Sequence, residues 1–216
     1  MNLTLLQKTN LTPTVKSYTF KPEKPFAFIP GQFVMLKQLG AEQKLARAFS
    51  IVAEPLTDTI TFLMKHNPLG HVSGFLSEAP LGATIETSPA VGRFITNEND
   101  TDRVYIATGT GLAPIMSFIV SEQNSAIKTT TLFGARSEED LFWTDKLPEN
   151  SLITLSQPSE AWTGLRGRVT AHIEPLIEKH RAAAWYLCGN PAMVTEVRAQ
   201  LLEAGIDKAA IHFEIY

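Results

Sequence analysis

The hydrophobic rhythm of this chain changes once, at a wholly polar run, Asn97-Glu98-Asn99-Asp100-Thr101-Asp102. Before the run, short apolar or alternating segments stand between turn residues: Val15-Lys16-Ser17-Tyr18-Thr19-Phe20, Phe33-Val34-Met35-Leu36, Ala48-Phe49-Ser50-Ile51-Val52 and Thr59-Ile60-Thr61-Phe62-Leu63. Strands of this length and spacing build a barrel or a sandwich. One short helix is expected from near His71 to near Glu78. After the run, strand-length and helix-length segments alternate. Residues 104–107, 130–133, 152–155, 184–188 and 211–215 read as strands. Residues 113–122, 170–179 and 191–204 read as helices, the last stopped by Gly205. Such alternation means a parallel sheet with crossover helices. The expected fold is therefore a two-domain β plus α/β protein, with residues 1–96 in the first domain and 103–216 in the second. No internal repeat interrupts this division.

The polar run also divides the charge. Residues 1–96 hold nine Lys and Arg against six Asp and Glu, and the remainder holds ten against sixteen. The net charge of −3 argues against a general nucleic-acid binder. With 216 residues, 44% of them hydrophobic, the chain can bury a real core in two small domains. Its one cysteine excludes an intramolecular disulfide, a four-cysteine zinc site and an iron–sulfur cluster needing four thiolates. The five histidines show no metal-ligand spacing, so no metal is expected. No basic segment followed by an apolar one opens the chain, and no apolar run nears the ~20 residues of a membrane helix. A soluble, cytoplasmic protein without a membrane partner is expected.

Four segments carry chemistry. Thr108-Gly109-Thr110-Gly111-Leu112-Ala113-Pro114 follows the first strand of the second half. Glycines let a backbone turn tightly and approach a ligand, Pro114 suits a first helical turn, and the free N–H groups there can face a phosphate. A purely structural tight turn would look the same. Cys188-Gly189-Asn190-Pro191 repeats the logic, with Asn190 as cap and Pro191 as helix start. In a parallel sheet both turns lie at the carboxyl edge, where ligands sit. A lone buried cysteine is usually packing, but Cys188 at this edge is expected to point into the crevice. In Arg47-Ala48-Phe49-Ser50, Arg47 can fork a phosphate, Phe49 can stack on a flat ring and Ser50 can donate to a ring nitrogen. Taken alone this is an ordinary surface strand, and Gly70-His71-Val72-Ser73 an ordinary helix start.

Together and in this order, the segments resemble those of the ferredoxin–NADP reductase family of flavoenzymes. Pro30-Gly31-Gln32-Phe33 is similar to the family's P-G-Q-[YF] segment. Arg47-Ala48-Phe49-Ser50 resembles its R-x-Y-S flavin motif, and Gly70-His71-Val72-Ser73 its G-x-x-S phosphate segment. The turns at 108–114 and 188–191 resemble its two nicotinamide-nucleotide motifs. The ending His212-Phe213-Glu214-Ile215-Tyr216 resembles V-E-x-Y. The resemblance implies a flavin-binding antiparallel barrel followed by a doubly wound nucleotide-binding domain, with FAD, rather than FMN, between them. It implies that Arg47 and Ser73 bind the FAD pyrophosphate, that Phe49 stacks on the isoalloxazine where the family usually has Tyr, and that Ser50 faces N5. Ala48, Met64, Lys65, Gly70, His71, Val72 and Thr108 complete the FAD set, and Tyr216 covers the opposite ring face.

For NADPH or NADH, the resemblance implies Gly109, Thr110, Gly111 and Pro114 around the pyrophosphate, with Gly189, Asn190 and Pro191 opposite. Cys188 and Glu214 border the nicotinamide, so that Ser50, Cys188, Glu214 and Tyr216 form the catalytic set. Arg136 and Arg168 match basic positions of NADPH-using members, and Ser156 matches the serine of a Ser-Arg pair that many of those members carry. Gln157 stands where many of those carry Arg, and Ala161-Trp162-Thr163-Gly164 is similar to NADH-using oxygenase reductases; a modest NADPH preference is expected. The implied activity is hydride transfer from NAD(P)H to the flavin, then electron transfer to a separate ferredoxin, flavodoxin or similar carrier, by a monomer. Reduction of free flavin or ferric chelates, service in an oxygenase system, and a non-catalytic nucleotide-binding subunit are the alternatives.

Overall fold

The computed structural model describes residues 1–52, 58–123 and 125–215. In the first half β1 (Asn2–Asn10), β2 (Val15–Pro22), β3 (Phe33–Gln38), β4 (Arg47–Val52), β5 (Ile60–Lys65) and β6 (Thr84–Thr87) close into a barrel in the order β1-β2-β5-β4-β3-β6. Its strand pairs are antiparallel. Alternate residues point inward, and Leu3, Leu5, Tyr18, Phe20, Val34, Leu36, Ile60, Phe62, Met64 and Ile85 fill the interior. Closure settles the choice between barrel and sandwich and leaves no unpaired strand edge. Two strands have no counterpart in the sequence reading. β1 slips register between Leu5 and Gln7, which breaks its alternation, and β6 is only four residues long. The short helix α1 (Ser73–Glu78) starts two residues later than expected.

The second half contains β7 (Asp102–Thr108), α2 (Leu112–Glu122), β8 (Lys128–Ala135), β9 (Leu152–Leu155), β10 (Leu165–Arg166), α3 (Ile173–Lys179), β11 (Ala184–Gly189), α4 (Pro191–Glu203) and β12 (Ile211–Ile215). The strands are parallel, in the order β10-β9-β8-β7-β11-β12. The order reverses between β7 and β11, so the sheet is doubly wound and its switch point lies there. β10 has two residues, too few for any periodicity to show. The start expected for α3 is a 3-10 turn at Val169–His172.

Each face of the sheet has its own core. Val104, Ile106, Trp185 and Leu187 pack under α3 and α4. Tyr105, Ala107, Tyr186 and Cys188 face α2, and beyond it Val15 and Leu63 of the barrel join the same cluster. Phe94, on the connection between the halves, packs its ring 5.4 Å from Phe118 of α2 and 5.9 Å from Tyr186. Gly31 makes this junction possible. At φ +91° its missing Cβ would lie 1.9 Å from the Phe94 carbonyl oxygen and 2.6 Å from the Phe118 ring. The Pro30-Gly31-Gln32-Phe33 segment thus docks the barrel against α2. Nearby, the Arg103 guanidinium, 2% exposed, pairs with Glu122 at the end of α2. The Tyr105 hydroxyl donates to Glu122 at 2.6 Å and that of Tyr186 to Asp100 at 2.6 Å. Burial pushes the Glu122 carboxyl and the Tyr105 hydroxyl above their ordinary ranges, so partners matter for these groups.

Candidate active site

A cleft of about 630 Å³ runs along the barrel where it meets the sheet. Arg47, Ala48, Phe49 and Ser50 line it from β4, Leu63 and Lys65 from β5, and Asn67 with residues 69–73 from the loop leading into α1. Thr110 and Ile215 line it from the second half. Pairing with β3 (Phe33 opposite Ser50, Val34 opposite Phe49) fixes the position of β4. Phe49 rests edge-on to Phe62, at 6.5 Å, and so has a supported ring at the cleft. Arg47 donates from Nη1 to the carbonyls of Lys44 at 3.1 Å and Ala46 at 2.8 Å.

The loop before α1 winds around Asn67. The Gly70 N–H donates to the Asn67 carbonyl at 2.9 Å, the Ser73 hydroxyl donates to the same oxygen at 3.1 Å, and the Leu69 N–H donates to Asn67 Oδ1 at 3.1 Å. A Cβ on Gly70 would sit 2.5 Å from the Ser73 hydroxyl and 3.1 Å from the Asn67 carbonyl oxygen, so a larger residue here would push the Ser73 hydroxyl from its place in the cradle. One wall therefore offers a guanidinium, an ammonium, a supported aromatic ring and a glycine-shaped loop. That donor set fits a flat ring ligand carrying phosphates. All the expected flavin positions from Arg47 to Ser73 line this wall except Met64. Met64 is 1% exposed and belongs to the barrel interior, because alternation along β5 turns Leu63 and Lys65 to the cleft instead. Leu63, Asn67, Leu69 and Ile215 are lining residues that the sequence reading missed. The Asn67-Pro68 pair was a turn signal, whereas Leu69, 92% exposed, sits in no pattern.

The two glycine turns meet at the switch point. A Cβ on Gly111 would lie 2.4 Å from the Cys188 carbonyl oxygen, and one on Gly189, at φ +140°, would lie 2.3 Å from the Thr108 hydroxyl. That hydroxyl accepts the Asn190 N–H at 3.1 Å, and Asn190 Oδ1 caps α4 through the Ala192 N–H at 2.9 Å. Pro191 opens α4 and Pro114 lies in the first turn of α2, as expected. Gly109, at φ +55°, has nothing within 4 Å of where a Cβ would be. Cys188 is in register with Ala107 and Glu214 at the ends of β7 and β12. It is 0% exposed within the core facing α2, and not open to a crevice as expected. The Ser50 hydroxyl donates to Glu214 Oε1 at 3.1 Å, which joins the barrel wall to the last strand of the sheet. The expectation for Tyr216 lies outside the described residues.

Arg136, Ser156 and Arg168 follow β8, β9 and β10 in turn, so all three emerge at the same carboxyl edge. Arg136 Nε donates to Gln157 Oε1 at 2.9 Å. The Glu138 carboxylate accepts the Ser159 hydroxyl at 2.5 Å and its N–H at 3.0 Å, and these bonds hold its carboxyl below the usual range. Among the described residues no group of three or more His, Cys, Asp and Glu could hold a metal ion, and no helix is long and apolar enough to cross a membrane.

Known proteins match both halves. Residues 2–95 match the family described as "Oxidoreductase FAD-binding domain", and residues 105–199 the one described as "Oxidoreductase NAD-binding domain". The "Toluate 1,2-dioxygenase electron transfer component" of Pseudomonas putida is 29% identical over 99% of this chain, which spans 65% of that protein. The "Ferredoxin--NADP reductase B" of Sorangium cellulosum (strain So ce56) is 30% identical over 95% of this chain, which spans 93% of that protein. The solved structure titled "Ferredoxin reductase in carbazole 1,9a-dioxygenase" superposes on the whole chain with a TM-score of 0.89 at 22% identity, this chain covering 68% of it. The chain thus spans less than two thirds of the first curated relative, and most of the second.

Proposed function

Since this chain belongs to the ferredoxin–NADP reductase family of flavoenzymes, we propose that it is an NAD(P)H-dependent reductase serving a separate one-electron carrier. FAD, when bound, supplies the exchange between a hydride and single electrons, chemistry that no side chain offers. The residues bind and orient. Arg47 and the cradle from Gly70 to Ser73 hold the phosphates, Phe49 supports the ring, and Ser50 with Glu214 stands where a proton can be held beside the reacting edge. The turns at 108–114 and 188–191 hold the nicotinamide nucleotide, and Tyr216 is assigned to the exposed ring face. In this reading residues 1–96 and 103–216 are the two working units of a cytoplasmic monomer.

The observation that supports the reading most is the 3.1 Å bond from Ser50 to Glu214. It brings the flavin strand of the barrel to the carboxyl edge of the sheet, where a nucleotide would lie. The partner we propose is an acidic carrier such as a ferredoxin or flavodoxin, because the barrel half has an excess of basic residues and complementary charge raises encounter rates. A second reading, an electron-transfer component of an oxygenase system, is favoured by the match to the toluate dioxygenase component. Steady-state assays separate these from a reductase of free flavin or ferric chelates. We expect ferredoxin reduction that slows as salt rises. Rapid reduction of free flavin with no ferredoxin turnover would overturn the carrier proposal.

A further inference from the structure

Arg136 and Gln157 emerge from adjacent parallel strands. Ala135 at the end of β8 is in register with Leu155 at the end of β9. Backbone bonds continue past the strands: the Ser156 N–H donates to the Ala135 carbonyl at 3.1 Å and the Gln157 N–H to the Arg136 carbonyl at 2.7 Å. The two side chains therefore start side by side, and Gln157 Oε1 accepts the Arg136 Nε–H at 2.9 Å. Among the described residues the two Nη groups of Arg136 have no partner. A guanidinium with Nε tied down and both Nη groups unengaged presents one flat pair of donors.

The chain just after Gln157 is locked in place. Arg166 Nη2 donates to the carbonyls of Ser159 at 3.0 Å, Glu160 at 3.1 Å and Trp162 at 2.8 Å. The Glu138 carboxylate, the first after β8, is taken up by Ser159. An uncommitted carboxylate here could bind a ribose hydroxyl; the Ser159 hydroxyl and N–H already occupy this one, although it keeps its negative charge.

We propose that Gln157 is a positioning residue for nucleotide choice: by accepting Nε–H it aims the Nη pair of Arg136 at the 2′-phosphate of NADPH. Gln157 thus favours NADPH without adding a charge. The inference rests on the reductase reading given above. The test uses the holoenzyme with Gln157→Met, which keeps the length and loses the acceptor, and Gln157→Glu, which keeps the acceptor and adds a negative charge. For Gln157→Met, the ratio of kcat/KM for NADPH to that for NADH should fall roughly fivefold, the scale of one exposed charge-assisted hydrogen bond. The fall should come through KM for NADPH with kcat kept, and Gln157→Glu should fall further. Calorimetry supplies a second readout that needs no redox chemistry: the parent should bind 2′,5′-ADP more tightly than 5′-AMP, and Gln157→Met should lose most of that difference. If 2′,5′-ADP binds no better than 5′-AMP, or if the variant weakens both alike or neither, the proposal is overturned. If the protein oxidises neither nucleotide yet shows the expected binding difference, the reductase reading fails and this assignment stands.

Discussion

Gly111 and Gly189 shape the site by what they lack. Each stands where a Cβ would strike the opposite turn, within 2.4 Å of the Cys188 carbonyl oxygen for Gly111 and 2.3 Å of the Thr108 hydroxyl for Gly189. For Gly111 the obstacle is backbone, which cannot swing aside. Gly111→Ala should therefore part the two turns, lower stability by about 1–3 kcal/mol and raise KM for the nicotinamide nucleotide. Thermal unfolding and steady-state kinetics check this, and an unaltered KM would contradict the packing described. The sequence marked both glycines as turn residues. Their steric reason was hidden, because each needs a partner on a distant strand. Met64 shows the converse. The resemblance assigned it to the flavin, but strand alternation turns its side chain into the barrel.

Among the elements, α4 shows how far local chemistry determines structure. Asn190 caps it with a 2.9 Å bond to the Ala192 N–H, and Pro191 occupies its first turn. Both features were readable in the sequence because the whole signal lies within a few residues. Asn190→Ala should cost about 1 kcal/mol, seen as a lower denaturant midpoint with an unchanged slope; a loss near zero would mean that the cap carries no load. The strands β9 and β12 were read to the residue for the same reason. β1, β6 and β10 were not: the first slips register, and the other two are too short to show a period. What joins elements across the chain left no local trace either. The Ser50–Glu214 bond and the Arg136–Gln157 bond each connect segments far apart in sequence.

On the scale of the whole molecule, the site belongs to neither half alone. The cleft takes Arg47, Phe49 and the Gly70 cradle from the barrel and Thr110 and Ile215 from the second half. Gly31, Phe94 and Phe118 hold the halves at the distance the cleft needs. The change of rhythm at the polar run foretold a barrel or sandwich followed by a parallel sheet, the family resemblance narrowed this to a barrel and a doubly wound sheet, and the single cysteine excluded a cluster held by four thiolates of this chain. How closely the halves approach depended on packing that no single segment encodes. The central claim is that this joint cleft holds FAD within hydride reach of a nicotinamide nucleotide. Anaerobic titration of the purified protein with NADPH, and separately with NADH, tests it most directly. The expected result is a yellow protein whose flavin absorbance bleaches with about one equivalent of nucleotide, since one hydride carries two electrons. A protein that binds no flavin, or whose flavin stays oxidised with both nucleotides, would contradict it.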